Sequence, residues 1–148
     1  MIPGNILQWG YEVKLLMIYA DKFGYKTSVK NLESVSTSDE EKIIENVLLG
    51  FIHVELKDEE NLSAIETKLI KNIKWAARKN ETNTVVLHSF AHLAESKADP
   101  EVTKQLLDNA ESRLINAGYV TYQTPFGYFL DLDIKAPGHS FSRLFKEI

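Results

Sequence analysis

Thr84-Val85-Val86-Leu87-His88-Ser89-Phe90-Ala91-His92-Leu93 and Pro125-Phe126-Gly127-Tyr128 are the stretches on which the reading of this chain turns. Thr84 to Leu87 has the β-branched, apolar character of a strand, and it runs straight into the Ser89 to Leu93 motif. In the second stretch a proline and a glycine separate two further strands, Tyr119 to Gln123 and Tyr128 to Ile134, with Thr124 to Gly127 as the turn. Gly138-His139 follows beyond the last of these strands.

Working outward, the chain alternates strands and helices. Val13 to Ala20 and Tyr25 to Val29 are apolar runs around Asp21 to Gly24, which predicts a first hairpin after an extension of residues 1–12. Ser36-Thr37-Ser38 before Asp39, Glu40 and Glu41 predicts a helix start, with Ile43, Ile44 and Val47 toward the core. A strand is expected within Leu48 to Leu56, centred on Phe51 to Val54, and Lys57 to Asn61 reads as a solvated loop. Leu62, Ile65, Leu69, Ile73 and Ala76 recur at helical spacing, with Lys68, Lys71, Lys74 and Arg78 on or near the opposite face. Asp99-Pro100-Glu101 opens another helix, whose stripe is Val102, Leu106, Ala110, Leu114 and Ala117, and Gly118 closes it. The expected fold class is α/β (α+β), a mixed β-sheet covered by two to three helices.

Composition narrows the function. The 148 residues suit one domain, and 44% hydrophobic with 26% charged residues is ordinary for a globular protein. No apolar run reaches the roughly 20 residues of a membrane helix, and Met1 to Gly10 lacks the basic start of a signal peptide, so a cytoplasmic address without membrane attachment is expected. The chain has no cysteine, which excludes disulfides, thiol nucleophiles and thiolate metal sites. A net charge of −4 means that contact with nucleic acid needs a local basic patch. The basic helix face could touch phosphates or simply be solvated. His88 and His92 straddle a strand end without the glutamate of a zinc-protease helix, so no metal site is expected. No glycine-rich phosphate loop or nucleophile elbow occurs, and no cofactor is expected.

The two quoted stretches resemble the editing domain at the N-terminus of archaeal threonyl-tRNA synthetases, where one strand ends in Pro-Phe-Ala-His-Leu and a later one begins Pro-Phe-Gly-Tyr-Tyr-Lys and leads to Lys-Gly-His-Pro. The likeness runs from about Val13 to the end, and includes Lys14 to Asp21 and Gly50 to Glu55. It implies residues 13–148 as one aminoacyl-tRNA deacylase domain with the fold of D-aminoacyl-tRNA deacylases. It further implies a homodimer, the acylated 3′ end of tRNA as ligand, and a threonyl-tRNA synthetase catalytic subunit as a candidate partner, because 148 residues cannot hold a whole synthetase with its ATP site. The implied activity is hydrolysis of Ser-tRNA(Thr); the alternative is a catalytically altered homologue that binds or dimerises.

The resemblance also assigns residues. His92 matches the motif histidine and is the candidate catalytic side chain, and Ala91, after Phe90, matches the residue whose backbone lines the amino-acid pocket. Tyr128 and Phe129 match the paired tyrosines, Leu130 the lysine, and Gly138-His139 the Gly-His turn. Arg143 stands where the family has a glutamate, as a second catalytic candidate, and Tyr19 stands near a family histidine. Along the strand Tyr128, Leu130, Leu132 and Ile134 share one face, and Phe129, Asp131, Asp133 and Lys135 the other. Lys135 therefore cannot replace the missing lysine. Arg143 keeps its charge at every physiological pH, so it suits an oxyanion or phosphate rather than proton transfer.

Overall fold

The structure is a computed structural model and describes residues 13–30, 32, 33, 35, 37, 39–55, 61–90 and 98–148. Residues 1–12 and the motif residues Ala91, His92 and Leu93 lie outside them, as do Ser36 and Ser38 of the expected helix start. β1 (Val13–Lys30) and β2 (Glu41–Val54) form one long antiparallel pair, from Val13 opposite Val54 to Lys26 opposite Glu41. α1 (Leu62–Lys79) crosses to β3 (Thr84–Ser89), parallel to β2, and α2 (Pro100–Asn116) crosses to β4 (Val120–Gln123), parallel to β3. β5 (Tyr128–Lys135) and β6 (Arg143–Glu147) both return antiparallel to β1, on its far and near halves respectively. The sheet order is β4-β3-β2-β1-β5, with β6 also beside β1.

This is the expected mixed sheet under two helices, but three local expectations change. Asp21 to Gly24 is not a turn. Gly24 lies mid-strand, paired with Ile43 on one side and Asp133 on the other, and Phe23 beside it is fully buried. Glu41 to Val47 is strand, not helix: the ladder with β1 outweighs the local acidic signal, and its Ile and Val residues suit a pleated surface. Ile44 and Val47 are buried as expected, whereas Ile43 is 67% exposed. β6 was not expected at all, and Arg143 is its first residue, opposite Ile18.

The helices follow their signals. In α2 the Asp99 side chain accepts from the Glu101 amide at 2.8 Å, and Gly118 past its end has φ +95°. Ala117, expected in the buried stripe, is exposed, and Leu107 is buried instead. Leu69 and Ile73 of α1 and Leu106 and Leu114 of α2 pack on Leu15, Leu48, Ile52 and Leu87 of the sheet. Each such buried side chain contributes about 1.5–3 kcal/mol.

A second core lies on the opposite sheet face, and neither of the two described helices contributes to it. Leu49, Phe51 and Val86 meet Phe23, Tyr25 and Ile44, with Phe90, Leu130 and Ile134 packed against them. The alternation of inward residues slips by one in both long strands, between Ala20 and Phe23 and between Ile44 and Val47. Asp21 and Asn46 are the residues skipped in the pairing, and Asn46 holds the left-handed φ of 51°, which asparagine tolerates better than most residues. The slip lets the far half of the β1–β2 pair, with β5 on its edge, contribute to the same cluster as the near half.

Candidate functional site

The end of β3 and the turn before β5 open onto a cleft of about 250 Å³. It is lined by Ile52 to Val54, by His88 to Phe90, by Thr124 to Leu130 and Leu132, by Leu32, and by Ala98, Pro100 and Thr103 at and just before the start of α2. Backbone hydrogen bonds set this geometry. The Phe90 amide donates to the Ile52 carbonyl at 2.9 Å, the Thr124 amide to the Leu87 carbonyl at 3.1 Å, and the Leu32 amide to the Gly127 carbonyl at 3.2 Å. Gly127 has φ +83°, and a Cβ there would sit 2.8 Å from a Val35 methyl, so only glycine fits this turn.

His88 is one of four buried polar residues among those described as lining the cleft, with His53, Thr103 and Thr124. Its Nδ1 lies 2.8 Å from the Thr124 hydroxyl, and its ring meets Phe51 edge-on at 5.0 Å. Burial lowers its pKa to about 4, so the ring is neutral near pH 7. A neutral imidazole beside a rotatable hydroxyl can act as donor or acceptor at its second nitrogen. Phe90 completes the aromatic group, 5.6 Å edge-on from Phe51.

A second set of expected residues collects elsewhere, where β1 meets the turn before β6. The Tyr19 amide donates to the Ser142 carbonyl at 2.8 Å, and the Tyr19 and His139 rings are 6.2 Å apart. The fully buried Ser142 donates its hydroxyl to the His139 carbonyl at 2.8 Å and accepts from the His139 amide at 3.2 Å. The Tyr19 hydroxyl donates to Asn46 Oδ1 at 3.2 Å, and burial, then Asp21, raises its pKa. The Arg143 guanidinium lies over Gly138, where a Cβ would be 3.6 Å from Nη2. Neither Tyr19, His139 nor Arg143 is among the described residues lining the cleft.

Ser89 and Phe90 of the first motif and Pro125 to Tyr128 of the second thus line one cleft. The family model described as the archaea-specific editing domain of threonyl-tRNA synthetase matches residues 13–148. The chain belongs to that family. Threonine–tRNA ligases of Methanosphaera stadtmanae and Thermococcus sibiricus are each 30% identical, over 138 and 139 residues, and that of Methanocaldococcus jannaschii is 28% identical over 136. Each alignment covers 92% of this chain and 22% of the ligase, so the chain spans about a fifth of the relatives it matches. Among solved structures, the c-Myc DNA Unwinding Element Binding Protein superposes with a TM-score of 0.64 over 91% of this chain and 98% of its own, at 12% identity. The fold is D-aminoacyl-tRNA deacylase-like.

For this editing-domain chain, the structure brings Phe90, Tyr128, Phe129 and Leu130 to the cleft and places Tyr19, His139 and Arg143 in the second cluster. Leu130 is half-buried and packs on the second core, while Phe129 is 52% exposed. His88, His53 and Thr124 also line the cleft, although the sequence marks His88 only as a possible metal ligand, Thr124 only as a turn residue and His53 not at all. The signal was available for His88, a polar residue two positions before Phe90 and so on the same strand face.

Proposed function

We propose that the cleft receives the acylated 3′ end of tRNA and that the chain hydrolyses the ester of wrongly attached serine. The carrying observation is the convergence of Phe90 with Tyr128, Phe129 and Leu130 on one cleft, next to the position of His92 in the sequence. Water attacks the ester carbonyl, a tetrahedral oxyanion forms, and the bond to the ribose oxygen breaks, releasing serine and a tRNA with its hydroxyl restored. Backbone amides of the Ala91 segment are the proposed oxyanion donors, a role that needs fixed geometry more than any particular side chain. His92 is the proposed acid–base group, and Ala91 and Phe90 hold the amino acid. His88 lines the same cleft. Arg143, with Tyr19 and His139 around it, is proposed to bind an anionic group of the nucleotide.

A homodimer fits the exposed apolar Val29 and Phe129, both within the stretch where the β1–β5 register slips. Relatives carry this domain at the head of a ligase, so a threonyl-tRNA synthetase catalytic subunit is the proposed partner, working in the cytoplasm. A second reading rests on Leu130, whose packing fills the place of the family lysine with an apolar side chain: a domain that binds the acylated end without cleaving it.

Incubating the protein with Ser-tRNA(Thr) and Thr-tRNA(Thr) and following ester loss separates the two. Faster loss from Ser-tRNA(Thr), abolished by His92→Ala, supports editing. Spontaneous rates with both, alongside retained binding, support the second reading. In a folded Leu130→Lys variant, editing should rise severalfold; no gain would show that the pocket has diverged at more than this position.

A further inference from the structure

The outer face of α1 and the edge strand β6 enclose an open groove of about 610 Å³, away from the residues of the cleft. Lys71, Lys74 and Arg78 line it from the helix, Lys146 from the strand, and Trp75 and Asn72 complete it. None of the described residues that line it is acidic. Among the described residues, none of the four cations has a hydrogen-bond or ion-pair partner. By contrast, Lys14, Lys22, Lys104 and Arg113 elsewhere in the chain have carboxylate partners. Four unpaired cations in one groove form a local field that the net charge hides.

Trp75 adds a second kind of contact. It is 36% exposed, held edge-on against Phe141 at 5.9 Å, with Lys79 Nζ 5.7 Å from its ring centre and 5.2 Å from that of Phe141. An aromatic face among unpaired cations suits stacking on a base or ribose beside a phosphate chain.

We propose that this groove binds the phosphodiester backbone of the tRNA body, holding the molecule while its acylated end enters the cleft. This rests on the reading of aminoacyl-tRNA as the ligand, and adds that the domain grips the tRNA away from the ester. Affinity should then be strongly salt-dependent despite the acidic chain.

The test measures binding of uncharged tRNA by filter retention across a salt series, with thermal melting to establish that each variant is folded. Lys71→Glu/Lys74→Glu should weaken binding about tenfold or more at moderate salt and flatten the log–log salt slope by about 2. Lys146→Glu, from the other wall, should flatten it by about 1. Lys26→Glu, an exposed lysine on the far half of β1, should leave binding unchanged. Wild-type affinity and slope in both groove variants would overturn the proposal and reassign the groove to another anionic partner, such as an acidic protein surface. Equal weakening by Lys26→Glu would also overturn it, by reducing the effect to bulk charge. Hydrolysis of a 3′-seryl ester of adenosine by the wild-type protein is measured in parallel. Absent hydrolysis with groove-dependent tRNA binding would sink the editing reading alone, and the reverse would sink the groove alone.

Discussion

The cleft and the His139–Ser142 turn both carry residues matched to the editing motifs, yet they are built by different means. At the cleft, backbone amides and carbonyls, a glycine that nothing can replace, and tightly packed rings set the shape. At the turn, one buried serine pins the loop, and the side chains of Tyr19, His139 and Arg143 gather around it. The difference teaches that two sites in one sheet can be held in different ways, one by backbone contacts along its whole length and one by a single buried side chain. Shape rests on backbone geometry that tolerates few substitutions, whereas exposed side chains can change at little cost in stability.

The sharpest way to break that contrast is at the two motif glycines. Gly127→Ala should destabilise the protein by about 3 kcal/mol in urea titration, because it combines left-handed backbone strain with the Val35 contact. A loss no larger than that of Gly138→Ala would refute the idea that the cleft turn is the rigid one. Next comes pH. An unfolded histidine titrates near 6.5 and His88 only near 4, so the unfolded chain takes up the proton first. Stability should therefore fall as pH drops through that window, by roughly 2 kcal/mol at pH 4.5, and His88→Gln should remove this part of the slope in urea titrations at several pH values. Thr124→Val, which keeps the shape and deletes the hydroxyl beside His88, should cost about 1 kcal/mol at pH 7 by the same measurement. Smallest is Gly138→Ala: φ there is not left-handed, and the nearest obstacle is the flexible Arg143 side chain, so the change should stay within about 0.5 kcal/mol.

The helices were legible because their signals are local: Asp99 caps, Gly118 terminates, and Leu69 and Ile73 recur at helical spacing. The faces of β5 were legible by alternation, with Leu130 and Ile134 inward and Phe129 and Asp131 outward. The long strands were not, because Asp21–Gly24 looks like a turn and Ser36–Glu41 like a helix start until distant partners are paired to them. In the same way β6 has no core-forming pattern of its own; β1 supplies its ladder. The motifs pointed to the cleft, but they could not reveal that Arg143 and His139 would stand apart from it, nor that His88 would join it through Thr124.

The most direct test of the central claim, that the cleft holds the aminoacyl end, is nuclear magnetic resonance titration with a non-hydrolysable analogue, serine amide-linked to 3′-amino-3′-deoxyadenosine without a phosphate. Backbone signals of His88 to Phe90 and of Thr124 to Leu130 should shift in saturable fashion while those of His139 and Arg143 stay still. Shifts confined to residues 138–143, with the cleft unmoved, would contradict the account.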